Sequence, residues 1–167
     1  MISYISLLRG INVNGQRLIK MDALKKMYEK LKFENIQTYI QSGNVIFSAK
    51  EKDPKKLEKH ISGKIKKEFG FEVPVIVLTV KTLQSILHHL PYSNDKTKDT
   101  AFMHITFLSN TPAAFDEEKI LGKKMPEEEI SFAPYAVYLY CPGGYGKTKL
   151  MYMPVPETGK RRTSCLI

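Results

Sequence analysis

The chain has 167 residues, 43% of them apolar, and its 26 Lys and Arg outnumber 17 Asp and Glu for a net charge of +9. That length suits one domain, or two very small ones sharing a core, and is large enough to fold without disulfide or metal staples. Neither a basic segment followed by an apolar leader nor a run approaching the roughly 20 apolar residues of a membrane helix is present, so secretion and membrane insertion are not expected. Two cysteines, Cys141 and Cys165, give neither a disulfide framework nor a metal spacing, which points to a reduced, cytoplasmic setting.

In chain order, residues 3–9 read as a short buried strand ended by Gly10. Residues 10–20 form a polar loop with an Asn14-Gly15 turn signal, and Leu24, Met27, Tyr28 and Leu31 then recur at helical spacing behind Asp22. Strands are expected at Ile36 to Ile40 and Asn44 to Ser48, joined tightly through Ser42-Gly43. Asp53-Pro54 opens a helix with the apolar stripe Leu57, Ile61 and Ile65, and Gly70 closes it. Val73 to Val80, rich in β-branched residues, is the next strand. The order β-α-β-β-α-β is that of the ferredoxin-like fold, two helices on one face of an antiparallel sheet.

The second half repeats much of this order. Leu83, Ile86, Leu87 and Leu90 share a face of a short helix ending near Pro91, and Phe102 to Leu108 is a strand. Thr111-Pro112 starts a helix to about Lys124, Ile130 to Phe132 and Val137 to Cys141 make a second hairpin, and Lys147 to Met151 opens a final helix. The expectation is an α+β protein of two duplicated ferredoxin-like halves with antiparallel sheets, residues 1–80 and 81–167.

Several stretches carry a resemblance. Leu7-Leu8-Arg9-Gly10-Ile11-Asn12-Val13, Thr38 to Phe47, Gly70-Phe71 with Val73-Pro74, and Tyr138, Cys141-Pro142 and Gly144-Tyr145-Gly146 together resemble the bacterial family catalogued as domain of unknown function 1697. The resemblance implies a doubled ferredoxin-like fold and brings no substrate, cofactor or catalytic residue. Two departures stand out. Asn14 replaces the family's usual glycine, and the tail from about Met151 lacks the family's closing helix and tryptophan, as a truncated or frame-shifted product would.

Three loops are the candidate sites. Arg9 to Gly15 combines a guanidinium at a strand end, Gly10 and the carboxamide of Asn12, groups that hold a phosphate or carboxylate at the mouth of a helix; the plain alternative is a shaped turn. Gln41, Ser42, Gly43 and Asn44 form a hairpin tip whose residue types also serve an ordinary turn. Gly143 to Thr148, with Tyr145 and Lys147, imitates a phosphate loop, but Cys141 stands where that loop requires its first glycine. Tyr4 and Phe47 are placed for base stacking on a sheet, although such residues are more often core.

His60, His88, His89 and His104 have no ligand spacing, so neither a metal nor a cofactor is called for, and no catalytic group is assigned. Cys141 is expected as a buried, inert thiol. The leading reading is a non-catalytic binding module for an anionic ligand such as nucleic acid, using Arg9, Gly10, Asn12, Gln41, Ser42, Asn44, Tyr145 and Lys147. The alternatives are an enzyme acting on a small phosphorylated or carboxylated metabolite where the halves meet, and an assembly protein whose sheets pair between chains. No membrane partner is expected, and the oligomeric state stays open.

Overall fold

Residues Ile2–Leu8 form β1, a seven-residue strand buried from Tyr4 onward. It opens a computed structural model that describes residues 1–39, 41–92, 95–109, 117–152 and 164–166. After a long loop come α1 (Met21–Lys30), β2 (Glu34–Tyr39) and β3 (Asn44–Ala49). Then follow α2 (Pro54–Phe69), β4 (Val75–Thr79) and α3 (Val80–His88). Beyond these lie β5 (Met103–Leu108), α4 (Glu117–Leu121), β6 (Glu129–Ala133), β7 (Ala136–Tyr140) and β8 (Ser164–Leu166). The result is a mixed α+β chain that divides into two units, Met1–Ser85 and Ile86–Ile167.

In the first unit the sheet runs β2-β3-β1-β4, with every neighbouring pair antiparallel. Strand alternation sorts its side chains. Tyr4, Leu8, Val45, Phe47, Val75 and Val77 join Leu24, Met27 and Tyr28 of α1 and Leu57, Ile61 and Ile65 of α2 in one core, so both helices cover the same face. Within that core the Ser6 and Tyr28 hydroxyls share a 2.7 Å hydrogen bond. Ser6 also donates to the Val45 carbonyl at 3.2 Å, so a polar pair is buried without an orphan.

Helix α2 shows why local signals sufficed there. The Asp53 carboxylate accepts from the Lys55 amide at 2.8 Å, Pro54 occupies the first turn, and Gly70 ends the helix at φ +82. At the sheet edge, β2 carries a bulge between Glu34 and Gln37, with Asn35 at φ 52 and its side chain donating to Ser48 Oγ at 3.3 Å. A bulge of this kind twists an edge strand away from pairing with another chain.

The second unit has the sheet order β6-β7-β5-β8, again antiparallel throughout. Leu108, Ile120, Val137, Leu139, Cys141 and Leu150 form its described core. Two expectations change here. Residues 145–152 form two short 3-10 turns, Tyr145–Lys147 and Lys149–Tyr152, in place of a final helix. Thr148 between them is extended, and its hydroxyl takes the Leu150 amide at 3.0 Å, which breaks helical continuity. On α3 only Ile86 is fully buried while Leu87 is exposed, so the apolar face is narrower than its leucines imply. The Thr111-Pro112 helix start, Ile40, the Met153 to Pro156 segment and the tail cations Lys160, Arg161 and Arg162 lie outside the described residues.

Candidate functional site

The loop between β1 and α1 is built from left-handed backbone. Gly10, Asn12, Asn14, Gly15 and Arg17 all have positive φ, between 49° and 73°. Asn14-Gly15 is the tip of a miniature hairpin, closed by the Gln16 amide donating to the Val13 carbonyl at 2.9 Å and the Asn12 amide to the Arg17 carbonyl at 3.2 Å. Positive φ at both central residues is what a two-residue hairpin turn requires, and Asn-Gly provides it cheaply. Arg17 has no such excuse: a long side chain in the left-handed region costs on the order of 1 kcal/mol.

Asn12 organises the loop. Its carboxamide oxygen accepts from the Ile19 amide at 2.8 Å, and its nitrogen donates to the Ile19 carbonyl at 3.0 Å and the Gln41 carbonyl at 2.9 Å. That last bond joins the loop to the β2–β3 hairpin tip. Beneath it the packing is close: a Cβ added to Gly43 would lie 2.3 Å from Ile11 Cδ1 and 3.2 Å from Leu8 Cβ, and Gly43 itself has φ +80. Glycine is therefore required there twice, by conformation and by the neighbouring chain.

The junction carries exposed cationic and polar side chains. Arg9 and Arg17 are exposed, and a Cβ on Gly10 would sit 3.3 Å from Arg17 Nη1, so this guanidinium lies against the glycine backbone. Gln41 and Ser42 are exposed at the tip, and the Arg9 amide is engaged by the Pro74 carbonyl at 3.0 Å. The same loop ends at α1, whose N-cap Lys20 makes no side-chain cap bond, although Asp22 in the first turn answers part of the helix dipole. Asn44 differs from its neighbours: it is buried, and its Oδ1 has no hydrogen-bond partner among the described residues.

Other candidates find ordinary uses. Tyr4 and Phe47 are fully buried in the helix-covered core, ring centroids 5.7 Å apart, so the pair is core packing, the commoner use of such residues, and not a base-stacking platform. Tyr145 and Lys147 belong to the second unit. There the Tyr145 ring packs 4.8 Å from His104, and the amides of Gly144, Lys147 and Thr148 are engaged by the carbonyls of Cys141, Gly144 and Tyr145, which closes the would-be phosphate cradle. Cys141 is wholly buried, and desolvation pushes its thiol pKa up, the sense opposite to an activated nucleophile.

The second unit also holds a cavity of about 250 Å³ lined in part by Tyr92, Lys124, Glu128, Glu129 and Ser131. It is small beside the roughly 300–1,000 Å³ of typical ligand pockets. Most of its charges are answered from within. Lys98 pairs with Glu129 and Asp95, Lys124 donates to the carbonyls of Met125 and Glu128, and Glu128 accepts from the Met125 amide.

Two residues of the first site lay beyond the reach of motif reading. Arg17 belongs to a lysine-rich run that looks like solvated helix surface, and Tyr39 sits in a strand whose covered face alternation alone does not specify. Tyr39 is 66% exposed at the end of β2, beside the tip.

The fold and site thus belong to a mixed α+β protein with a polar, cationic loop junction. The chain is a member of the family described as Protein of unknown function (DUF1697), whose model matches residues 1–138. Among solved structures it is similar to that of conserved bacterial protein SP0830 from Streptococcus pneumoniae, with 20% identity, 99% of this chain and 92% of that chain covered, and a TM-score of 0.72. At that identity the likeness concerns the fold alone. No curated protein matches the chain. Among the described residues no helix is long and apolar enough to cross a membrane.

Proposed function

We propose that this protein is a non-catalytic binding module for an anionic ligand, nucleic acid foremost, acting at the junction of the β1–α1 loop and the β2–β3 tip. The observation that carries this reading is the Asn12 bridge: one carboxamide holds both ends of the loop and the tip carbonyl of Gln41, at 2.8–3.0 Å. By doing so it ties the segment that carries the exposed Arg9, Gly10 and Arg17 to the tip that carries the exposed Gln41 and Ser42, in a chain with net charge +9. The left-handed Arg17 supports it further, since backbone strain is retained where a side chain must be aimed. Arg9 and Arg17 neutralise phosphate; the tip amides orient it.

In the same reading the chain is a duplication of ferredoxin-like halves, with the repeat boundary at residues 80/81 and the shared strand order, second-third-first-fourth, as its support. The buried free thiol of Cys141 suits a reduced bacterial cytosol.

Fluorescence anisotropy with a labelled short oligothymidylate tests the proposal. The wild-type protein is expected to bind at low salt and to lose affinity steeply as salt rises. Arg17→Glu, which leaves the melting temperature nearly unchanged at this exposed position, weakens binding roughly tenfold and flattens the salt slope by about one phosphate contact. Absence of binding at low salt, or an unaltered affinity in Arg17→Glu, overturns it.

A further inference from the structure

We infer that the ligand at this junction is single-stranded nucleic acid, one of whose bases stacks on Tyr39 and presents an N–H group to the unpartnered oxygen of Asn44. The inference rests on the anion-binding reading above and adds what the phosphate contacts leave open, namely which nucleic acid and which residues meet its bases.

The register puts the pieces together. Thr38 pairs with Val45 and Tyr39 with Asn44 across the hairpin. Val45 points into the helix-covered core, so Tyr39 and Asn44 share the opposite face. On that face Ile46, paired with Gln37, is also 40% exposed. Directly cross-strand side chains stand about 5 Å apart at Cβ, so the open Tyr39 ring and the Asn44 carboxamide are immediate neighbours. The β1–α1 loop, tied to Gln41 two residues beyond Tyr39, adds exposed Val13 and Leu18 and the guanidiniums of Arg9 and Arg17.

Each element answers a different part of one ligand. A scattered exposed aromatic needs no explanation, but this one stands cross-strand from an unsatisfied acceptor and two residues from the tip carbonyl to which the arginine-bearing loop is bonded. A buried carboxamide oxygen without a donor is costly, and a ligand that brings an N–H relieves the cost. A backbone phosphodiester brings charge and no donor; a nucleotide base adds a ring face and ring-edge N–H groups. In a duplex the ring faces are stacked inside, so the site would meet phosphates and groove edges but no ring face for Tyr39. A single strand offers all three. Because the Asn44 oxygen is closed off from water, a base reaches it only by displacing a neighbour, so stacking on Tyr39 is the first and larger contact.

The test is anisotropy with three probes of equal length: oligothymidylate, the same strand made abasic, and a duplex. Tyr39→Ala is expected to weaken oligothymidylate binding roughly tenfold, the size of one lost base stack. Abasic-strand binding should stay within about twofold of wild type, and Tyr39→Phe should keep wild-type affinity for oligothymidylate. Equal affinity for all three probes, with Tyr39→Ala like wild type while Arg17→Glu still weakens binding, overturns this inference and leaves the anion reading standing. No binding of any probe at low salt overturns both. Tyr39 is exposed, so a melting curve of Tyr39→Ala within a degree or two of wild type certifies the fold.

Discussion

The two hairpins, β2–β3 in the first unit and β6–β7 in the second, hold the same place in their sheets and are made by different chemistry. The second turns through Pro134-Tyr135, neither at positive φ, with the Tyr135 ring exposed and its carbonyl accepting the Leu108 amide at 2.9 Å. The first turns through Gly43 at φ +80, with Ile11 of another loop pressed against it and Asn12 bonded to the Gln41 carbonyl. A plain turn asks only for residues that bend. The first tip asks for a particular residue because a second segment has been docked on it, and docking is what gathers the cationic surface. Only one of the two hairpins therefore carries a candidate site.

The largest effect that can break this contrast is at Gly43. Gly43→Ala adds a left-handed penalty to an overlap with Ile11 and Leu8, for an expected loss of about 3 kcal/mol in urea unfolding. Ile11→Ala in the same chain removes the nearest obstruction, so the double variant should lose less than the sum of the two single losses. Tyr135→Ala should stay within about 0.5 kcal/mol of wild type. A Gly43→Ala variant as stable as Tyr135→Ala would mean that the two tips are equivalent after all.

The same contrast marks what the sequence could disclose. Strands with apolar alternation, the Asp53-Pro54 start and Gly70 stop of α2, and the turn at Ser42-Gly43 are local signals, and the structure honours them because each is satisfied within a few residues. The Asn12–Gln41 bond joins residues far apart in sequence, so no spacing announces it. Alternation also predicts that Tyr4 and Tyr39 face somewhere without saying which face is covered: Tyr4 lies under the helices and Tyr39 in the open. The final helix expected from Lys147 failed for a nearer reason, since Gly143, Gly144 and Gly146 weaken helical propensity and the Thr148 hydroxyl takes the amide that a helix would have used.

A second contrast lies between buried tyrosines. Tyr92 in the second unit is 6% exposed, and its hydroxyl has no partner among the described residues. Burial, with the nearby Glu129 charge, pushes its pKa up to about 12. A folded pKa above the unfolded value of about 10 means that the unfolded chain gives up this proton first. The Tyr92 share of stability is therefore intact below pH of about 10 and lost as pH rises through about 12, a fall on the order of 2 kcal/mol. Tyr28 titrates still higher for the same reason, so part of the alkaline loss belongs to the first unit. Urea midpoints measured across this range should fall less steeply in Tyr92→Phe than in wild type; parallel curves would mean that Tyr92 ionises alike in both states.

At neutral pH the two phenols should part company in sign. Tyr28 exchanges a 2.7 Å hydrogen bond with Ser6 inside the first core, so Tyr28→Phe removes a satisfied bond and is expected to cost about 1 kcal/mol. The cost is moderated because Ser6 keeps its bond to the Val45 carbonyl. Tyr92→Phe removes a hydroxyl that is buried beside a cavity and bonded to nothing among the described residues, and it leaves the ring's contacts with Tyr140 and the Lys98 ammonium in place. Deleting an unsatisfied polar group relieves its desolvation penalty, so this variant should match or exceed wild-type stability by up to about 1 kcal/mol. A comparable loss in both variants would show that Tyr92 has a partner, with water in the cavity the first candidate, and would erase the distinction drawn between the two cores.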